Sequence, residues 1–183
     1  VHAVFKSLLF MASGTMSHAG GGGTAIEAIR GTARAAPISF VTYTAGAESL
    51  AGQPIVTPGW WSKEAILAAA FGAGPFGQAL WAVALVSAAL TGIYAFRPVF
   101  TALRPAPGGP RKREREPFLV AGPLLLLGTL ALALGPAVER MVELLGAHAP
   151  HAPLPVEIAG AAAAGLGLLG GAAAVHVPAL AER

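Results

Sequence analysis

The sequence predicts an all-α polytopic membrane protein, a transmembrane helix bundle of about five spans with one discontinuous helix. Three observations predict it. Hydrophobic residues make up 55% of the 183 and charged residues 11%, against about 25% charged in a soluble domain, and the mean hydropathy is +0.64. The apolar residues gather in runs close to the roughly 20 that cover the hydrocarbon core of a bilayer. One run is interrupted by GQPIVTPGWWSKEAIL at residues 52–67, which sets prolines, glycines and a Lys–Glu pair inside apolar surroundings.

Taken in order, Val1 to Ala19 (VHAVFKSLLFMASGTMSHA) has the length of one span. His2 and Lys6 lie four apart, so a helix places them on one face. No initiator Met or signal peptide precedes Val1, and the chain is expected to be part of a longer one. Gly20–Gly23 ends the first helix, and residues 24–36, with Glu27, Arg30 and Arg34, read as a short surface segment.

Pro37 opens a second apolar run to about Leu50, and Pro58 opens its continuation to Phe71. Between them Pro54 and Pro58 lack backbone donors, while Gly52 and Gly59 loosen the chain. Thr57 is a candidate cap with Pro58 at the first helical position. Each half is about 20 Å long at 1.5 Å per residue, short of the roughly 30 Å core. Residues 37–72 are therefore expected to form a single broken span. A third span covers residues 77–103, with Trp81 and Tyr94 near its ends, where aromatic belts lie. Residues 104–116 (RPAPGGPRKRERE) form a polar, basic loop, and the C-terminal transmembrane helices occupy 117–183. Of these, one runs from Pro117 to about Pro136 with an amphipathic extension over 137–145. The other runs from Val156 to about Val177, rich in the small residues that let helix backbones approach closely.

Charge sidedness supports the broken span. With five spans, Arg30, Arg34, Arg97, Arg104, Arg111, Lys112, Arg113, Arg115 and Arg183 fall on one side and only Arg140 on the other. Nine against one is a positive-inside bias that places the basic loops in the cytoplasm. Splitting residues 37–72 into two spans would move Arg30 and Arg34 across and weaken it. The net charge of +3 thus marks membrane sides and calls for no nucleic-acid partner.

Lys6 and Lys63 are the residues most costly to place in a span, at least about 2.5–3.5 kcal/mol each at the bilayer centre. A lysine in low dielectric is poised to load and release a proton reversibly; the alternative is snorkelling from a helix end. A broken helix beside such a charge is the arrangement of an ion or proton pathway. Glu48, one turn before the break, either pairs with a lysine and helps a proton pass or faces an inert groove. Glu64, a further candidate for the proton path, follows Lys63 and points about 100° away on a helix, so the two need not pair. His2 is a candidate relay to Lys6 or a packed imidazole.

Other patterns carry little. His148 and His151 have no carboxylate or cysteine company for a metal. Gly20–Gly23 follows a helix instead of opening one, unlike a phosphate-binding loop. RKRERE is a topology marker interrupted by two glutamates. With no cysteine, the chain offers no disulfide, thiolate metal site or iron–sulfur ligand, and no Ser/His/Asp set suggests hydrolysis.

HAVFKSLLFMASGTMSHA at 2–19, PISF at 37–40, LAGQPIVTPGWWSKEAILAAAF at 50–71 and LTGIYAFRPVF at 90–100 resemble the large antiporter-like subunits (subunit L, or chain 5) of respiratory complex I, the NADH:quinone oxidoreductase. Mrp-type sodium/proton antiporters share the module. The resemblance covers roughly residues 1–100; beyond 117 only the hydropathy agrees. It implies that residues 1–103 are the end of a second antiporter-like repeat. The family's helix-borne histidine and lysine then fall on His2 and Lys6, and its broken-helix lysine on Lys63, with Glu64 where an aspartate is common. Glu48 and Gln53 depart from the pattern, standing where apolar residues are expected. The segment 24–36 also lacks the family's basic run and paired glycines, and the long lateral helix and final anchor are not seen.

The resemblance implies proton translocation in the membrane arm of a complex I-like oxidoreductase of the bacterial inner membrane. Lys6 would be the central residue and Lys63 the one facing the outlet. This would be a translocase role with no catalytic chemistry in the chain itself. NADH, FMN, iron–sulfur clusters and quinone would be bound by partner subunits. The competing expectation is a subunit of a multi-subunit cation (sodium)/proton antiporter without a redox partner; a purely structural membrane subunit is a further one.

Overall fold

Proline and glycine punctuation sets the helix ends. In a computed structural model, which describes residues 2–54, 57–144 and 152–176, the described residues hold helices, turns and loops and no strand. The helices are α1 (His2–Ala19), α2 (Thr32–Ala35), α3 (Pro37–Ala51), α4 (Pro58–Gly72), α5 (Gly74–Leu103), α6 (Phe118–Leu144) and α7 (Leu154–His176), with a 3-10 turn at Ile26–Ile29 before α2. Gly72 ends α4, and Gly74, at φ 79°, restarts the chain as α5 three residues earlier than expected. His148, His151 and Arg183 lie outside the described residues.

The chain is a polytopic helical membrane protein. Gly74–Leu103, Phe118–Gly135 and Leu154–His176 are long and apolar enough to cross a membrane. The other helices do not meet that measure: α1 has 18 residues and carries Lys6, while α3 and α4 have 15 each.

Hydrogen bonds fix which helix ends share one end of the bundle. Arg111 donates to the carbonyls of Arg30 at 2.8 Å, Ala28 at 2.9 Å and Ala19 at 3.4 Å, so the end of α1 and the basic loop lie together. The N–H of Gly31 reaches Ala102 of α5, and Arg104 donates to Val175 of α7 at 2.6 Å. Glu116 accepts from the N–H groups of Ile38 at 2.9 Å and Ser39 at 2.8 Å and from the Ser39 hydroxyl. A carboxylate at a helix N-terminus fills orphan donors and complements the positive end of the dipole. The start of α3 and the start of α6 are thereby pinned at the same end, and the turn joining α4 to α5 lies at the other. The segment 24–36 is not wholly at the surface: Thr32 and Ala35 are fully buried beneath the loop.

The main core joins α1, α3, α5 and α6 through Phe5, Leu8, Leu9, Tyr43, Leu50, Phe96, Val99 and Leu124. α5 and α7 run parallel and in contact: Gly92 lies against the backbone of Gly167, and Gly171 against Phe96. Glycines here serve approach, since a side chain at either 92 or 167 would meet the opposing backbone.

Candidate functional site

The break between α3 and α4 is built from its own polar groups. α3 ends on Gly52 in the left-handed conformation, φ 73° and ψ 51°. The N–H of Gln53 bonds to the Glu48 carbonyl at 3.1 Å, and the N–H of Gly52 reaches the carbonyls of Glu48 at 3.0 Å and Ser49 at 3.2 Å. This is a Schellman ending, which leaves the last two carbonyls of the helix open. Lys63 closes them. Its Nζ donates to Leu50 and to Ala51, both at 2.8 Å, so the ammonium sits on the negative end of the α3 dipole.

α4 starts as the sequence suggests. Thr57 is its cap, with Pro58 at the first helical position and the Thr57 hydroxyl accepting from the Trp60 N–H. The same hydroxyl donates to the Gln53 carbonyl at 2.7 Å and ties the two sides of the break. Gly59 lies against the Ser49 carbonyl, where a side chain would collide with backbone.

Two further hydrogen bonds fasten the break to later helices. The Ser49 hydroxyl donates to the Ala131 carbonyl of α6, and the Gln53 amide to the Ala164 carbonyl of α7 at 3.2 Å. Gln53 had a signal in sequence, a polar residue where an apolar one is expected. Ser49 had none.

Neither lysine is enclosed within the described chain; both are half-buried. Each has one side against the bundle and the other open. Lys6 lies with its Nζ 5.4 Å from the centre of the Phe10 ring and lines a cleft of about 150 Å³ with Leu9, Tyr43, Leu50 and Tyr94. Leu50 also carries a carbonyl that Lys63 caps, so Lys6 stands level with the break.

His2 is exposed and meets Phe5 edge-on, with ring centroids 5.0 Å apart. Glu48 is half-buried and pairs with neither lysine: among the described residues the ion pair is Arg140–Glu143 at 3.9 Å. Glu64 points away from Lys63, is buried, and packs against Gly160 of α7.

Residues 1–91 match the family described as NADH:quinone oxidoreductase/Mrp antiporter, transmembrane region. Over 175 residues, 92% of the chain, the sequence is 33% identical to NADH-quinone oxidoreductase subunit L of Pseudomonas aeruginosa, covering 28% of that protein. It is 34% identical over 141 residues to F(420)H(2) dehydrogenase subunit L of Methanosarcina mazei, which is 73% of this chain and 21% of that one. It is 36% identical over 99 residues to subunit L of Escherichia coli, 54% of this chain and 16% of that one. The chain spans 28% or less of the length of these relatives.

Proposed function

We propose, for a chain that belongs through residues 1–91 to the NADH:quinone oxidoreductase/Mrp antiporter transmembrane family, that it carries protons through the membrane arm of a complex I-like oxidoreductase. The observation that carries the proposal is the lysine held on a broken helix: Lys63 on the open carbonyls of α3, with Lys6 level with it across Leu50. Helices α3 and α4 act as one discontinuous span among five, with the basic loops in the cytoplasm of a bacterial cell.

The mechanism follows from charge and reach. The carbonyls of Leu50 and Ala51 offer the Lys63 ammonium two fixed acceptors. Like charges in low dielectric repel strongly, so a proton loaded on Lys6 favours release from Lys63 toward the outlet. His2 feeds Lys6, and Glu48 serves the α3 side of the break. The prolines and glycines of the break leave backbone carbonyls free to hold a cation, which a continuous helix would not do. No electron moves in this chain. The redox groups, NADH, FMN, iron–sulfur clusters and quinone, belong to partner subunits, and charge coupling brings their energy to the lysines. The named relatives include both NADH-quinone and F(420)H(2) enzymes, so the electron donor is set by those partners.

The family description also names Mrp antiporters, which supports a second reading, sodium/proton exchange without a redox partner. The full-length subunit with its co-purifying partners, reconstituted in liposomes, separates the two. Proton uptake that starts on addition of electron donor and quinone supports the first. Uptake driven by an imposed sodium gradient, with none from the donor, supports the second and overturns the first.

A further inference from the structure

The cleft of about 150 Å³ that holds Lys6 shares Phe10, Ser13 and Tyr43 with a larger one of about 480 Å³. The larger cleft continues past Ser17 and Pro98 to Thr24 and Ile29. Ile29 lies between Ala28 and Arg30, whose carbonyls accept from Arg111 of the basic loop, so this cleft reaches the basic end of the bundle. Lys6 and Ala19, at the two ends of the run, are about 20 Å apart along α1 at 1.5 Å per residue.

Three helices set polar groups along this run. On α1, Lys6, Phe10, Ser13 and Ser17 follow at helical spacing and share one face. The Ser13 hydroxyl donates to the Phe10 carbonyl at 2.9 Å and the Ser17 hydroxyl to the Gly23 carbonyl at 2.7 Å, so both oxygens keep lone pairs that can accept. On α3, Tyr43 is 7% exposed and lines both clefts. On α5, Pro98 stands inside the helix without an N–H, which leaves the Tyr94 carbonyl without its helical donor. Tyr94 lines the smaller cleft and Pro98 the larger. Backbone groups freed in this way inside a membrane are met by neighbouring helices or by water. Both clefts exceed the roughly 30 Å³ share of one water, and the hydroxyls and the freed carbonyl supply the polar partners that ordered water needs.

We propose that the two clefts form one hydrated conduit that brings protons from the basic end to Lys6, with Ser13 and Tyr43 as the polar groups at the junction. Its use rests on the proton-path reading; its hydration does not. Phe10 adds only an apolar ring to the junction, so the crossing falls to the two hydroxyls. The conduit arrives on the side of Lys6 away from His2 and is a supply separate from it. A neutral Lys6 amine takes one proton from the nearest water, each water regains one from the next, and no electron is transferred.

The test places single cysteines in the full-length subunit within its assembly, in vesicles of known orientation. The 183 residues hold no cysteine, so each new thiol is the one in this segment and its modification is read by peptide mass. The probe is a charged, membrane-impermeant methanethiosulfonate. Ser17→Cys and Ser13→Cys should react faster from the basic side than from the other. Ala12→Cys, next to Ser13 but fully buried, should stay unmodified from both. A Ser13→Cys that reacts no faster from the basic side, or no faster than Ala12→Cys, overturns the conduit. Donor-driven proton uptake is then compared in Ser13→Cys before modification, after it, and after a thiol reductant removes the added group. Uptake should be lost and then restored. Full uptake with Ser13→Cys fully modified overturns the conduit as the supply to Lys6. Labelling from the basic side in an assembly whose wild type does not pump keeps the hydrated conduit and removes the translocation reading instead.

Discussion

The Leu50 carbonyl accepts a hydrogen bond from Lys63 at 2.8 Å, while the Leu50 side chain lines the cleft that holds Lys6. One residue at the end of α3 therefore stands between the two lysines.

Replacing Lys63 by Met keeps much of the apolar stem and removes the donor. The carbonyls of Leu50 and Ala51 then face largely apolar surroundings unmet, at about 1–3 kcal/mol for each buried group. Hydrogen exchange should quicken locally across residues 48–60 in Lys63→Met while α5 and α7 keep their protection. Uniform protection throughout would show that the cap does not hold the break.

Glu116 is the counterpart at the other end of α3, where it accepts from Ile38 and Ser39. Glu116→Ala removes a capping carboxylate and should cost about 1 kcal/mol. It should lower the thermal midpoint of the assembly and leave donor-driven pumping per folded complex near wild type. A loss of pumping without loss of stability would contradict this role.

Gly92 and Gly167 bring α5 and α7 into backbone contact. Gly167→Val pushes a branched side chain onto Gly92 and should destabilise by about 1–3 kcal/mol, the range for overpacking a close contact. Gly165→Val, on the same helix but in open space, is the control and should be close to neutral. Equal thermal shifts for the two would remove the close-contact account.

The break was legible because its causes are local: Gly52 takes the left-handed conformation that ends α3, and Thr57 and Pro58 are the cap and first-turn pair that start α4. The partners of Lys63 were not legible. They depend on the turn at Gly52 bringing the end of α3 back beside α4, which no spacing rule states. Glu64 was marked as diverging from Lys63, but the glycine that receives it lies on α7, about a hundred positions later. Arg111 read as one more basic residue in RKRERE; folding turns it inward onto three carbonyls, while its neighbours stay exposed. Lys6 and Lys63 are half-buried among the described residues, because enclosure depends on the packing around a side chain and not on residue type.

The central claim is that the Lys63 charge at the break carries protons. The most direct measurement is the number of protons pumped per electron pair in liposomes holding the full-length assembly, with Lys63→Ala beside Lys63→Arg. The account predicts that Lys63→Ala assembles and oxidises its donor but pumps fewer protons per pair. Lys63→Arg should retain the capped break yet pump poorly too, because a guanidinium does not release its proton. A wild-type proton-to-electron ratio in both variants would contradict it.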